Sequence, residues 1–147
     1  MPEWVTQRER EFARRYSGVA LVGRFSIVDD RGQTKKTGEP ERYEILEVSP
    51  LPTRNLWLFR ARIQYGGGNP VVLPIPLRVL WAGNTPVITL DEQAIPGLGT
   101  FSARVMLHGT RYAGTWQHGK TGGHMWGAIL PLPSPSESSP EKTSRDD

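Results

Sequence analysis

The chain contains no cysteine, which excludes a disulfide framework, a thiolate metal site and a catalytic thiol together. Long apolar runs are missing too: no segment approaches the roughly 20 residues that a membrane-spanning helix needs. Met1-Pro2-Glu3-Trp4-Val5 has no apolar stretch of the secretory kind, so the expectation is a soluble protein with no membrane span, in the cytoplasm. Concentrated charge of one sign is also scarce. The net charge is +3; residues 131–147 hold Glu137, Glu141, Asp146 and Asp147 against Lys142 and Arg145, a local −2 that leaves +5 for the rest. That falls short of the basic stripe of a dedicated nucleic-acid binder, and no nucleic-acid partner is expected.

Motifs of catalysis are absent as well. There is no Gly-x-Ser-x-Gly, phosphate loop or dinucleotide fingerprint. Gly119-Lys120-Thr121 matches the end of a phosphate loop but lacks the earlier glycine, and it falls inside a β-hairpin. Glu44, Glu47 and Asp91 have no visible acid–base partner. No catalytic residue, metal site or cofactor is therefore assigned.

What is present is rhythm. With 147 residues, 37% of them hydrophobic, the chain suffices for one domain with a real core. Thr6-Gln7-Arg8-Glu9 has the form of a capping box, predicting a short helix to about Tyr16 within a segment 1–18 that packs on the domain. Eight alternating segments then fill residues 19–130, predicted as strands at about 21–28, 42–48, 56–65, 71–81, 87–90, 100–107, 111–117 and 124–130. Residues 29–41 read as a polar loop and 91–99 as a loop or single helical turn. In the fourth segment Leu73, Ile75, Leu77, Val79 and Trp81 alternate with Pro74, Pro76 and Arg78. Proline cannot donate to a ladder, so an irregular edge or bulge is expected there, and with it an imperfectly closed wall. From Pro131 to Asp147 the composition turns to Pro, Ser and charge, predicting a disordered tail. The predicted fold is all-β: one eight-stranded antiparallel up-and-down barrel with a short N-terminal helix.

The final hairpin carries the densest set of large rings. With Gly119–Gly123 as its loop, His118 would oppose His124, Trp116 would oppose Trp126, and each pair would share one face. Phe25, Trp57, Phe59, Tyr65, Trp81, Phe101, Tyr112, Trp116 and Trp126 fall on the presumptive inner row. They are candidates to fill the barrel or to line a ligand cavity, with His118 and His124 at its mouth. Two imidazoles alone lack the third ligand of a catalytic zinc site.

Gly114-Thr115-Trp116 on a barrel strand resembles the Gly-x-Trp signature of the calycin group, which includes lipocalins, fatty-acid-binding proteins and avidin-like proteins. In lipocalins and avidins that signature lies in the first strand, and here it lies in the seventh, so only a packing role for Trp116 carries over. The string Gly122–Gly127 also resembles a bacterial protein family without an assigned activity. The resemblance implies a non-enzymatic barrel accepting a small apolar or aromatic ligand. The alternatives are a filled-barrel scaffold or protein-interaction domain, an oligonucleotide-binding barrel using Arg60 and Arg62, and an enzyme.

Overall fold

The computed structural model describes residues 1–65 and 68–133, without the side chain of Tyr65. The predicted tail from residue 134 onward and the Tyr65 ring therefore lie outside the described residues. A helix α1 (Gln7–Tyr16) precedes β1 (Val19–Val28), β2 (Thr34–Pro50), β3 (Leu56–Tyr65), β4 (Val71–Ala82), β5 (Thr85–Ile95), β6 (Gly99–His108), β7 (Arg111–His118) and β8 (Thr121–Pro131). Each strand pairs antiparallel with the one before it, and β8 returns to β1, closing the barrel. Closure leaves no continuous free sheet edge, the usual reason an up-and-down sheet curls on itself.

Thr6 starts α1 as the sequence predicts. Its Oγ1 accepts from the Glu9 amide at 3.1 Å, and the Thr6 amide donates to Glu9 Oε1 at 2.9 Å. Phe12, Ala13 and Tyr16 form the buried face. At the far end Gly18, with φ +82, donates to the Ile45 carbonyl at 2.8 Å and accepts from the Leu132 amide at 2.9 Å. The helix is thus tied to both β2 and the residues just after β8.

One end of the barrel is stoppered by rings from that helix. Phe12 meets Trp57 at 5.0 Å and Trp81 at 5.7 Å, both edge to face, and Phe59 at 6.2 Å. Arg8 stacks over the outer face of Trp81 at 4.3 Å, and Arg8 and Arg15 donate to the Gly83 and Gly109 carbonyls of two hairpin turns at 3.0 Å each. These contacts hold the plug in register with the strand ends below it.

Three stretches depart from the sequence reading. Residues 34–41, expected in a loop, form the first half of a 17-residue β2, because they continue the hairpin with β1, Lys36 pairing with Ile27 and Thr34 with Val28. β5 continues through residues expected in a loop, from Asp91 to Ile95, by means of a bulge at Asp91–Glu92; Glu92 takes φ +46 there and its amide donates to Ser102 Oγ at 2.9 Å. The irregularity expected in β4 is absent from its own ladder with β3, which runs unbroken. Instead β5 pairs with β4 only over Arg78–Ala82, leaving the wall beside Pro74 and Pro76 without a ladder on that side. The prolines tolerate this because they have no amide hydrogen to satisfy.

Truncating the stopper should cost what a large buried ring costs. Phe12→Ala is expected to lower unfolding free energy by about 3–5 kcal/mol, measured by urea titration. A loss below about 1 kcal/mol would mean that α1 merely rests on the barrel.

Candidate functional site

The pleat of β2, traced back from Ile45 through Tyr43, puts Glu41 on the inner row. There it is 4% exposed, a carboxylate inside an otherwise apolar barrel. Tyr43 donates its hydroxyl to Glu41 Oε1 at 2.8 Å, and Tyr112, from β7 across the interior, donates to Oε2 at 2.7 Å. Among the described residues no cation lies within ion-pair distance of it. Burial pushes its pKa from 4.5 up to about 6, against the lowering effect of the two hydroxyls. Burial and the neighbouring carboxylate both push the Tyr112 hydroxyl upward as well. At neutral pH Glu41 is thus mostly ionised, held by two neutral donors.

Glycine makes room for this arrangement. Gly23 on β1 and Gly127 on β8 are register partners. A Cβ at Gly23 would fall 2.5 Å from Tyr112 Oη, and one at Gly127 would fall 2.8 Å from Tyr112 Cε1. Any side chain there would displace the ring that reaches Glu41.

Beyond Glu41, away from α1, the lining stays aromatic but is less completely covered. Phe25, Tyr43, Leu73, Leu98, Phe101 and Trp116 are partly buried and pack against the core. Phe25 and Trp116 meet edge to face at 5.8 Å, and Trp116 Nε1 donates to the Ser26 carbonyl at 3.2 Å. At the rim the exposed His118 ring lies against Phe101 at 4.4 Å. On the outer wall a groove of about 340 Å³ runs beside Arg104, Thr115, Gln117 and His124, and a larger crevice of about 640 Å³ lies at the α1 end between Arg8, Glu11, Trp81 and His108. Across the barrel, Gln93 donates its side-chain amide to the Pro76 carbonyl, bridging the seam that β4 and β5 leave unpaired.

The structure thus divides the expected site. Trp57, Phe59 and Tyr112 are buried and Trp81 half-buried; Trp57, Phe59 and Trp81 belong to the packed helix end. Phe25 and Trp116 meet in the other half, where Phe101 lies against His118 at the rim. Trp126 and His124 do not join them. The β7–β8 turn is the two-residue Gly119-Lys120, with His118 paired to Thr121, so the expected five-residue loop is corrected to a tight hairpin whose Gly119 takes φ +62. That moves the register by three residues, an odd number, and exchanges every β8 side chain between faces. Met125 points in, while Trp126, 38% exposed, pairs with Ala113 on the outside. His124 pairs with Thr115 and its backbone amide donates to Ser26 Oγ at 3.0 Å; the two histidines are not opposed. Among the described residues no cluster of three potential metal ligands forms. Glu41 escaped the sequence reading because Pro40 and its charged neighbours look like a loop, although its two-residue spacing from Tyr43 and Ile45 was the available signal.

Comparison with family models, curated proteins and solved structures returns no match for this chain.

Glu41 binds its proton more tightly in the folded state (about 6) than at its ordinary value of 4.5. The folded protein therefore holds more protons across that interval. Stability is fully present below it, falls as pH rises through about 6, and then levels off. The decline attributable to Glu41 is about 2 kcal/mol. Glu41→Gln should remove it, seen by comparing urea unfolding of the two proteins at about pH 4 and about pH 8. Parallel pH dependences would mean that Glu41 is solvated like a surface carboxylate.

Proposed function

We propose that this barrel binds a small, largely apolar or aromatic ligand in the half away from α1, with a hydrogen-bond donor of the ligand directed at Glu41. The observation that carries this is the asymmetry of the interior. One half is packed with interlocked rings, while the other presents the partly buried Phe25, Phe101 and Trp116 above a carboxylate that has donors but, among the described residues, no counter-charge. A barrel built only for stability gains nothing from an ionised group in that position. Two hydroxyls leave lone pairs on the carboxylate for a further donor.

Eight strands enclose an interior that side chains can just fill or that can hold one small ligand. The consecutive up-and-down strand order supports placing the chain beside the calycin group, as Gly114-Thr115-Trp116 suggests, with Trp116 in a packing role. Access would be through the end rimmed by His118 and Phe101, or through the seam beside Pro74 and Pro76. No catalytic step is assigned, because Glu41 and its tyrosines supply a polar anchor without a nucleophile or a second acid.

The test is native mass spectrometry of the protein purified from its own host. A non-covalent small-molecule adduct is expected, diminished in Trp116→Leu and kept in Trp126→Gln, whose ring lies outside. Absence of any adduct, together with a crystal structure in which side chains fill the Phe25–Trp116 half, would overturn the reading.

A further inference from the structure

Helix α1 leaves a space beside it where it crosses the barrel end. Between one side of the helix and the β4–β5 and β6–β7 turns lies the crevice of about 640 Å³, within the roughly 300–1,000 Å³ of small-molecule sites. Its floor is apolar: Phe12, Tyr16, Pro86 and Leu107 are buried there, with the half-buried Trp81 beside them. Its rim is charged, carrying Arg8, Glu11 and Arg15 from α1 and His108 from the end of β6. The rings stacked around Phe12 separate this space from the interior half that holds Phe25 and Trp116.

The two arginines are held in place and lack an acid. Arg8 lies over Trp81 at 4.3 Å and donates to the Gly83 carbonyl, while Arg15 donates to the Gly109 carbonyl. Each of these hydrogen bonds uses one of the five N–H donors of a guanidinium. Among the described residues neither arginine forms an ion pair. Glu11, the carboxylate of the crevice, is bound by Arg14, whose hydrogen bond holds its carboxyl below the ordinary range. That pair is neutral, so Arg8 and Arg15 leave two positive charges around an apolar floor. Trp81 adds an unmet donor, because its Nε1 is buried without a hydrogen-bond partner among the described residues.

We propose that this crevice binds a small aromatic oxyanion, a carboxylate or phosphate monoester carried on a flat apolar body. The oxyanion would take the open donors of Arg8, whose planar fork matches either group, on the side of the crevice that also carries Trp81. The ring would rest on Phe12, Tyr16 and Leu107, with Arg15 two helical turns, about 10 Å, further along α1. Charge and volume select the occupant. A neutral ring leaves both arginines unanswered, a cation is repelled by them, and a folded domain exceeds the space. Such a ligand would tie α1 to two hairpin turns and raise Tm, independently of anything bound in the interior.

The experiment is isothermal titration calorimetry of the full chain with naphthoate, naphthyl phosphate, naphthol and naphthylmethylamine, which share one ring system and differ in charge. At least one of the two anions is expected to bind about tenfold or more tightly than naphthol and the amine. Arg8→Gln should weaken that binding about tenfold or more. Glu11→Gln should strengthen it and His108→Glu weaken it, each by about threefold. Circular dichroism and Tm of the unliganded variants confirm the fold, and the two rim variants decide the matter if Arg8→Gln loosens the helix. Arg60→Gln, on the barrel wall away from α1, should leave binding unchanged. Binding of neither anion, equal binding of naphthol or the amine, or indifference to both rim variants would overturn the proposal. So would anion binding abolished by Trp116→Leu, which would place the ligand in the interior.

Discussion

A carboxylate confined among apolar side chains sets the terms for the rest of this barrel. Removing a charge from water is costly unless hydrogen bonds replace the lost hydration, and the fold answers with two tyrosine hydroxyls from strands on different sides of the interior. Tyr43 follows from the pleat of β2 itself. Tyr112 must cross from β7, which requires that the wall behind it carry no side chains, and β1 and β8 meet that need with Gly23 opposite Gly127. One polar group therefore links the composition of four strands. It also marks the level at which the interior changes character, from the closed aromatic packing around Phe12 to the half-covered rings around Trp116.

The barrel uses its two surfaces for different chemistry because alternation keeps them separate. Inward positions carry the core and the tyrosine-bound carboxylate; outward positions carry paired charges, such as Arg42 and Arg62 around Glu44, interrupted by exposed apolar side chains such as Leu80 and Trp126. Exposed ion pairs of this kind add little to stability, so the outer wall is free to vary in composition without endangering the fold.

Much of this architecture was legible in the sequence because period-two alternation in β3, β4 and β6 is nearly uninterrupted, as in Trp57, Phe59, Ala61 and Ile63. The capping box at Thr6 was equally clear, since its two hydrogen bonds are local. Legibility failed where the pattern depended on something distant. Residues 34–41 carry lysines, Gly38 and Pro40, the vocabulary of a loop, and become strand only because β1 extends beside them. Gly122 and Gly123 look like turn residues but sit in the ladder, where the close approach of the Trp116 and Ser26 carbonyls requires glycine. A turn at Gly119–Gly123 would place Trp126 inside; the turn at Gly119-Lys120 shifts the register by an odd number of residues and puts it outside. The inner row beginning at Glu41 was hidden for a related reason: a lone charge next to proline looks solvated until its strand is known.

The most direct test is a carbon-13 NMR titration of the glutamate side-chain carboxyls in the intact protein. The account predicts one carboxyl with a midpoint near 6, lost from the spectrum of Glu41→Gln and displaced in Tyr112→Phe. If every glutamate titrated in the ordinary range and the spectrum were indifferent to Tyr112, Glu41 would have to be in contact with water, and the central contact of this barrel would not exist.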